Sequence, residues 1–155
     1  MIEEIELKEY RPGDLDAMYS LDQECFSPAF RFDRESMRAF AEEPDAIVRI
    51  ALLASGKIIG FVIVHIEPVA GKQRAYVVTL DVAEQYRRHG LAQRLLSQAE
   101  EHAAAAGAQW MELHVFTGND GAIRFYESSG YGRVSVSRRF YGRAGLDAFV
   151  YRKNL

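Results

Sequence analysis

The sequence predicts a mixed α/β domain, in which a central sheet of six to seven strands is flanked by about four helices. Strand-like runs outnumber helical runs, and the elements follow the order β-α-α-β-β-β-α-β-α-β-β. Tight turns join some strands and helices join others, which places antiparallel and parallel neighbours in one sheet. The 155 residues contain no repeat or linker, so residues 1–155 are expected to form a single domain.

The N-terminal segment predicts one strand and two helices. Ile5 and Leu7 alternate with polar residues, as in a strand with one buried face. Asp14 is expected to cap the first helix, and Asp33 the second, which ends at about Glu43 before a proline. The apolar side of the first helix consists of Leu15, Met18, Leu21 and Cys25.

Three strands and a long helix are predicted next. "IVRIALL" and "KIIGFVIVHIEP" flank a turn at Ser55 and Gly56, and "RAYVVTLDV" follows a turn in "VAGK". The helix begins near Gly90 and ends at Gly107, because glycine is favoured just after a helix. Its apolar positions recur at helical spacing and are Leu91, Leu95, Leu96, Ala99 and Ala103.

The strand "WMELHVF" at residues 110–116 has two different faces, because strand side chains alternate. One face is apolar and consists of Met111, Leu113 and Val115. The other face consists of Trp110, Glu112, His114 and Phe116. This second face places a carboxylate and an imidazole one pleat apart, about 7 Å along the strand, so either group is a candidate proton acceptor.

The C-terminal segment predicts one more helix and two strands. Asn119 or Asp120 is expected to cap the helix, which reaches about Ser129 and is closed by Gly130. "YGRVSVSRRF" and "DAFVYRKNL" are the two final strands, joined by a loop that contains glycine.

Composition excludes several classes of function. Hydrophobic residues make up 48% of the chain and charged residues 26%, as in ordinary globular proteins. The net charge of −3 argues against a nucleic-acid or membrane-surface binder, which would be basic. A single cysteine allows no intrachain disulfide or cysteine-based zinc site, and the histidines have no metal-site spacing, so no metal is expected. The chain start resembles no signal peptide and no apolar run reaches about 20 residues, so a cytoplasmic protein is expected.

The segment "YRRHGLAQRLL" predicts a phosphate-binding turn. It lies where a strand is followed by a helix, and a helix N-terminus offers unpaired N–H groups and a positive dipole end to an anion. Gly90 permits close backbone approach, Ala92 keeps the first turn small, and Arg87 and Arg88 add positive charge. Taken alone, so short a pattern is equally compatible with two solvated arginines.

A second segment, read together with the phosphate-binding turn, indicates a particular protein family. "NDGAIRFYESSGYG" at residues 119–132 resembles the second signature of the Gcn5-related N-acetyltransferase (GNAT) superfamily, and Arg87-x-x-Gly90-x-Ala92 resembles the first. The residues that match the second signature are Asn119, Ala122, Phe125, Tyr126, Gly130 and Tyr131. The two segments occur in the family's order, and the element order resembles the GNAT fold over nearly the whole chain.

The resemblance implies acetyl-CoA as the cofactor and a sheet that splays between its fourth and fifth strands. The pyrophosphate would lie against the turn formed by Arg87, Arg88, His89, Gly90, Leu91 and Ala92. The pantetheine arm would follow the strand edge at Leu80, Asp81 and Val82, with Asn119 holding it. Tyr126 would lie near the sulfur as a general acid, because a phenol's pKa of about 10 exceeds a thiol's value of about 8.5.

Within the superfamily, the chain resembles the enzymes that acetylate protein N-termini, both the ribosomal-protein type and the archaeal and eukaryotic catalytic subunits. "LHV" precedes the signature Asn119 at the spacing seen in those proteins, and the tail from Phe140 and Tyr141 to the end is also similar. The resemblance implies that His114, Tyr76 and Glu112 are the candidate proton carriers, with the choice between His114 and Glu112 as base left open. An α-ammonium has a pKa near 8, within reach of an imidazole near 6.5.

The expected acceptor pocket involves the segment "CFSPAFRF" between the first two helices. Phe26, Pro28 and Phe30 would form its apolar part, and the other residues expected to contact the substrate are Val78, Phe140 and Tyr141. Arg31 and Arg34 would instead favour acidic acceptors. The expected acceptor is therefore the N-terminus of a protein or peptide, bound by a monomer or homodimer. A small-amine or lysine acetyltransferase and a non-catalytic acyl-CoA-binding module are the alternatives.

Overall fold

The computed structural model describes residues 4–155, which form seven strands and four α-helices. The strands are β1 (Ile5–Glu9), β2 (Ile47–Leu53), β3 (Ile58–Val69), β4 (Lys72–Val82), β5 (Ala108–Phe116), β6 (Gly132–Ser137) and β7 (Ala148–Asn154). The helices are α1 (Leu15–Cys25), α2 (Arg34–Ala41), α3 (Leu91–Ala105) and α4 (Asp120–Ser128). Residues 2 and 3 of the predicted first strand lie outside the described residues.

All seven strands belong to one sheet in the order β1-β2-β3-β4-β5-β7-β6. Only β4 and β5 pair in parallel, and the other neighbours are antiparallel. Helix α1 packs against β3 and β4, α2 packs against α1 and β3, and α3 packs across β2 to β5. The predicted mixed sheet with helices is therefore confirmed, and the parallel pair is the place where a helical crossover, α3, returns the chain to the sheet.

One core joins the two layers. Apolar side chains of α1, α3 and the central strands are fully buried, among them Met18, Ile63, Leu95 and Met111. The apolar positions predicted for α3 are all buried, because the helix lies flat on the sheet. None of the helices within residues 4–155 has the length and apolar character needed to cross a membrane.

The capping predictions had different outcomes. Asp33 caps α2 by accepting the Ser36 N–H at 2.8 Å, and Asn119 caps α4 by accepting the Ala122 N–H at 3.1 Å, as expected. The prediction for Asp14 was wrong. A short 3₁₀ turn precedes α1, and Asp14 within it accepts the N–H of Arg11 instead of an N–H of the helix.

Gly60 on β3 lies where the sheet meets α3, and a methyl group there would meet the Asp81 carbonyl at 3.0 Å and Leu95 at 3.2 Å. We expect Gly60→Ala to lower the free energy of unfolding by about 1–3 kcal/mol, because a packed interior does not yield to an added methyl. Urea unfolding measures the loss. Gly13→Ala is the control, because nothing lies within 4 Å of its added methyl. Equal stability of the two variants would contradict the close packing at Gly60.

Candidate active site

The site is built around a fork in the sheet. Strands β4 and β5 pair only from Gln73 to Tyr76, and the last pair joins Tyr76 to Glu112. Beyond that pair the two strands separate, while the other edge of β5 continues to pair with β7 through Phe116. We call the opening between Tyr76 and Glu112 the fork. Its position confirms the splay predicted between the fourth and fifth strands.

A bulge in β4 orients the side chains beside the fork. The consecutive residues Ile63 and Val64 of β3 pair with Thr79 and Val77, so Val78 has no partner. A bulge of this kind reverses the alternation of faces along the strand. Tyr76, Thr79 and Asp81 consequently share the face that α1 covers, although simple alternation would separate Tyr76 from Asp81. Leu80 turns to the opposite side and packs against the core.

Tyr76 and His114 meet at the fork. The Tyr76 hydroxyl lies 2.7 Å from Nδ1 of His114. Burial raises the pKa of Tyr76, so its hydroxyl stays protonated, while burial lowers the pKa of His114 below its ordinary value of 6.5. The imidazole is therefore neutral at pH 7. In the tautomer whose Nδ1–H donates to Tyr76, Nε2 is an open proton acceptor.

Glu112 is held by an arginine and does not hydrogen-bond to His114. Arg74 donates from Nη1 to Glu112 at 2.9 Å and from Nη2 to Glu67 at 2.5 Å. The Glu112 carboxylate raises the pKa of His114 and Arg74 lowers it, but burial outweighs both. The ion pair with Arg74 occupies the Glu112 carboxylate, which acts on His114 through its charge.

Four aromatic side chains form a cluster beside the imidazole. The Phe140 ring is stacked on His114 with the centroids 3.9 Å apart and the planes 9° apart. Tyr141 contacts Phe140 at 5.0 Å and Phe30 at 4.7 Å, and Phe30 contacts Phe116 at 5.1 Å. We call Phe30, Phe116, Phe140 and Tyr141 the aromatic cluster. It connects the α1–α2 loop (residues 26–33) to the end of β5 and to the β6–β7 loop.

The predicted acceptor residues are only partly brought together. Phe30, Phe140 and Tyr141 belong to the aromatic cluster, whereas Pro28 is exposed and Phe26 is half-buried outside the ring contacts of the described residues. Val78 is the bulged residue of β4. Sequence reasoning did not assign Phe116 to the site, although it lies on the same strand face as His114.

The backbone of the predicted phosphate-binding turn is exposed. Arg88 and Gly90 have positive φ values of 65° and 78°, and Gly90 is the N-cap of α3. Residues 87–90 are exposed, and a methyl on Gly90 would meet nothing within 4 Å. The exposed backbone of this turn and the helix N-terminus behind it are suited to a phosphate. Leu91 is buried and Ala92 half-buried, so they offer backbone rather than side chains.

Other residues predicted to contact the cofactor are buried or form hydrogen bonds within the protein. The carbonyl of Val82 accepts Arg87 Nε at 2.9 Å and the Cys25 thiol at 3.4 Å. Asp81 is buried, so its side chain does not reach a ligand at the strand edge. The Asn119 side-chain oxygen caps α4. Tyr126 is buried, and burial together with Asp81 raises its pKa, so its hydroxyl is a proton donor rather than a phenolate.

Comparison with known proteins gives the same family as the motifs. The model of the acetyltransferase (GNAT) family matches residues 15–131. The catalytic subunit NAA10 of the N-terminal acetyltransferase A complex from Arabidopsis thaliana is 31% identical over 103 residues, 65% of this chain and 53% of that protein. N-alpha-acetyltransferase RimI from Mycobacterium tuberculosis is 35% identical over 78 residues, 50% of this chain and 48% of that protein. The chain spans about half the length of these curated relatives.

Solved structures share the fold. Arabidopsis thaliana NAA60 in complex with a bisubstrate analogue superposes with a TM-score of 0.85 at 22% identity, over 97% of this chain and 98% of that chain. The same protein in complex with acetyl-CoA gives a TM-score of 0.87 at 20% identity, over 98% and 99% of the two chains. At this identity the likeness shows the fold alone.

The electrostatics of the fork predict how His114 titrates. We expect its pKa to lie below 6.5 and Glu112→Gln to lower it further, because that change removes the negative charge that favours the imidazolium. Titration of the ring protons by NMR measures both values. Glu101→Gln, on the exposed side of α3, is the matched control and leaves the titration unchanged. A pKa of His114 above 6.5, or an increase in Glu112→Gln, would contradict this account.

Proposed function

The chain belongs to the acetyltransferase (GNAT) family, and we propose that it transfers the acetyl group of acetyl-CoA to the N-terminal α-amine of a protein or peptide. The observation that carries the proposal is the Tyr76–His114 pair at the fork, with the aromatic cluster directly beside it. A neutral imidazole suits an α-ammonium with a pKa near 8 better than a lysine ammonium near 10.4. The N-terminal acetyltransferases among the relatives support the same class of acceptor.

The donor side of the proposal rests on the turn before α3 and on the fork. The backbone of residues 87–92 would hold the pyrophosphate, and the unpaired edge of β4 beyond Tyr76 would hold the pantetheine arm. The Asn119 amide group keeps its N–H donors for that arm, since only its oxygen caps α4. When bound, acetyl-CoA supplies a thioester whose carbonyl carbon accepts the amine.

His114 would act as the base. Nε2 takes a proton from the α-ammonium, directly or through water, while Nδ1–H donates to the Tyr76 oxygen and fixes the tautomer. Glu112 is less suited to this step because its carboxylate is occupied by the ion pair with Arg74. The Glu112 charge would instead stabilise the imidazolium that forms.

The remaining steps use groups on β4 and α4. The neutral amine nitrogen would form the new C–N bond as the C–S bond breaks, and the electron pair of that bond would leave with the sulfur. The nitrogen would then give up its second proton to water. The Val82 N–H would polarise the carbonyl oxygen. The Tyr126 hydroxyl, which its burial keeps protonated, would give its proton to the departing sulfur. No acyl-enzyme is required.

The aromatic cluster would select the acceptor. Its ring faces suit an apolar first side chain, because aromatic side chains bury large apolar area at low entropic cost. The alternative of acidic acceptors has weaker support. Arg34 pairs with Asp16 at 2.8 Å and with Glu35, so its charge is partly neutralised within the protein.

A peptide assay tests the function. We expect acetylation of a peptide with a free, apolar first residue and none when the α-amine is blocked and an internal lysine is free. His114→Gln should lower kcat/KM by about 10²–10³-fold, because the general base is lost. His102→Gln, on the exposed surface of α3, is the matched control and keeps full activity. Preference for lysine or for small amines would contradict the proposed acceptor class. Full activity of His114→Gln would contradict the assignment of His114 as the base.

Acetyl-CoA binding tests the turn. We expect Gly90→Ala to weaken binding at least tenfold, because the methyl would occupy the space where a phosphate approaches the backbone. Isothermal titration calorimetry measures Kd. Gly71→Ala is the control, because its φ of 80° and open surroundings match those of Gly90 while it lies in the β3–β4 turn. Both variants should lose about 1 kcal/mol of stability. Equal Kd values would rule out the turn as the phosphate site.

A further inference from the structure

Two buried carboxyl groups meet beneath the fork, and the proposed chemistry uses neither side chain. Asp22 on α1 is 0% exposed and Asp81 on β4 is 1% exposed. Asp22 Oδ2 accepts the Phe32 N–H at 2.9 Å, and Asp81 Oδ1 accepts the Thr79 hydroxyl at 2.5 Å. The other two oxygens, Asp22 Oδ1 and Asp81 Oδ2, are buried and receive no hydrogen bond from a protein donor among the described residues.

Two ionised carboxylates could not satisfy these oxygens. Both groups would be acceptors, and two like charges would lie side by side in the interior. One proton removes both costs, because a carboxyl O–H donates to the neighbouring carboxylate and gives each orphaned oxygen a partner. Burial and the adjacent Asp22 raise the pKa of Asp81 well above its ordinary range, so the proton belongs on Asp81.

We propose that Asp22 and Asp81 form a carboxylic acid–carboxylate pair that shares one buried proton and positions the α1–α2 loop beside the fork. The pair joins helix α1 to strand β4, at the strand edge where the acetyl donor would lie. Asp22 and Asp81 are thus positioning residues.

The surroundings of the pair favour a single negative charge. Arg87 is the cation that acts on Asp81 and lowers its pKa, against the larger effect of burial. Burial raises the pKa of the Cys25 thiol on α1 to about 11, so Cys25 is uncharged. Burial also raises the pKa of Tyr126 on α4, so its hydroxyl is neutral. With one shared proton, the pair carries a single negative charge, which the Arg87 cation faces.

The positioning role follows from the backbone of Phe32. Its N–H is held by Asp22, and its carbonyl accepts Nε2 of the adjacent Gln23 at 2.9 Å. Two consecutive side chains of α1 therefore hydrogen-bond to both backbone polar groups of one residue in the α1–α2 loop. Two residues earlier, the same loop carries Phe30 into the aromatic cluster. Loss of these hydrogen bonds would displace the loop that carries Phe30, and with it one side of the proposed acceptor site.

The shared proton is tested by stability alone, independently of any activity. Asp81→Asn replaces the protonated acid by an amide of the same shape, which accepts from Thr79 and donates to Asp22 without a titrating proton. In the wild type the folded state keeps a proton that the unfolded chain releases above about pH 4. Relative to Asp81→Asn, its unfolding equilibrium constant should rise about tenfold per pH unit from pH 5 until the pKa of folded Asp81 is reached. Parallel pH dependences in urea unfolding would overturn the shared proton.

The positioning role rests on the proposed function and is tested by peptide kinetics. Asp22→Leu should raise the peptide KM at least tenfold and leave the Kd for acetyl-CoA within about twofold. Asp22→Asn, whose oxygen still accepts the Phe32 N–H, should keep the peptide KM within about threefold of wild type. Unchanged KM in a folded Asp22→Leu protein would overturn the role.

A third variant covers the case in which Asp22→Leu does not fold. Gln23→Met removes only the bond to the Phe32 carbonyl at a half-buried position, and it should raise the peptide KM about three- to tenfold. Unchanged KM in Gln23→Met would then overturn the positioning role. If the wild type acetylates no N-terminal peptide, the proposed function fails, while the urea experiment still decides whether the proton is shared.

Discussion

The separation of β4 from β5 after Tyr76 is the constraint on which the site depends. A parallel pair that continued to Val82 would close the sheet and bury the edge of β4. Because this pairing stops while β5 stays paired with β7, β5 carries His114 along one side of an opening and β4 carries Tyr76 along the other. The bulge at Val78 adds the second requirement, since it directs Tyr76, Thr79 and Asp81 to one face.

Charge at the fork is arranged so that one group remains available for proton transfer. Arg74 lies between Glu67 and Glu112 and pairs with both carboxylates, while burial keeps His114 neutral. Beneath the fork, the Asp22 and Asp81 carboxyls are removed from water altogether. These four acidic groups are therefore paired or buried, which leaves the imidazole as the group most open to a proton.

Much of this arrangement was predictable from the sequence, because strand alternation and two short motifs are local signals. The helices and the sheet follow from them, whereas the meeting of Tyr76 with His114 was implied only by the resemblance to the N-terminal acetyltransferases. The bulge was not predictable, because "AYVVTLDV" contains no glycine or proline to mark it. The pairing of Arg74 with Glu112 depends on strand register, which no local pattern specifies. Asp22 did carry a signal, since it lies four residues after Met18 on the apolar side of α1.

The stacking of Phe140 on His114 has a consequence for how the imidazole accepts a proton. A ring lying parallel at 3.9 Å closes one face of the imidazole. The Nε2 lone pair lies in the plane of the imidazole, so a proton still reaches it along the ring edge while the stacked ring limits rotation of His114 out of that plane. The direction along which His114 can accept a proton would therefore be set by Phe140, a residue of the β6–β7 loop.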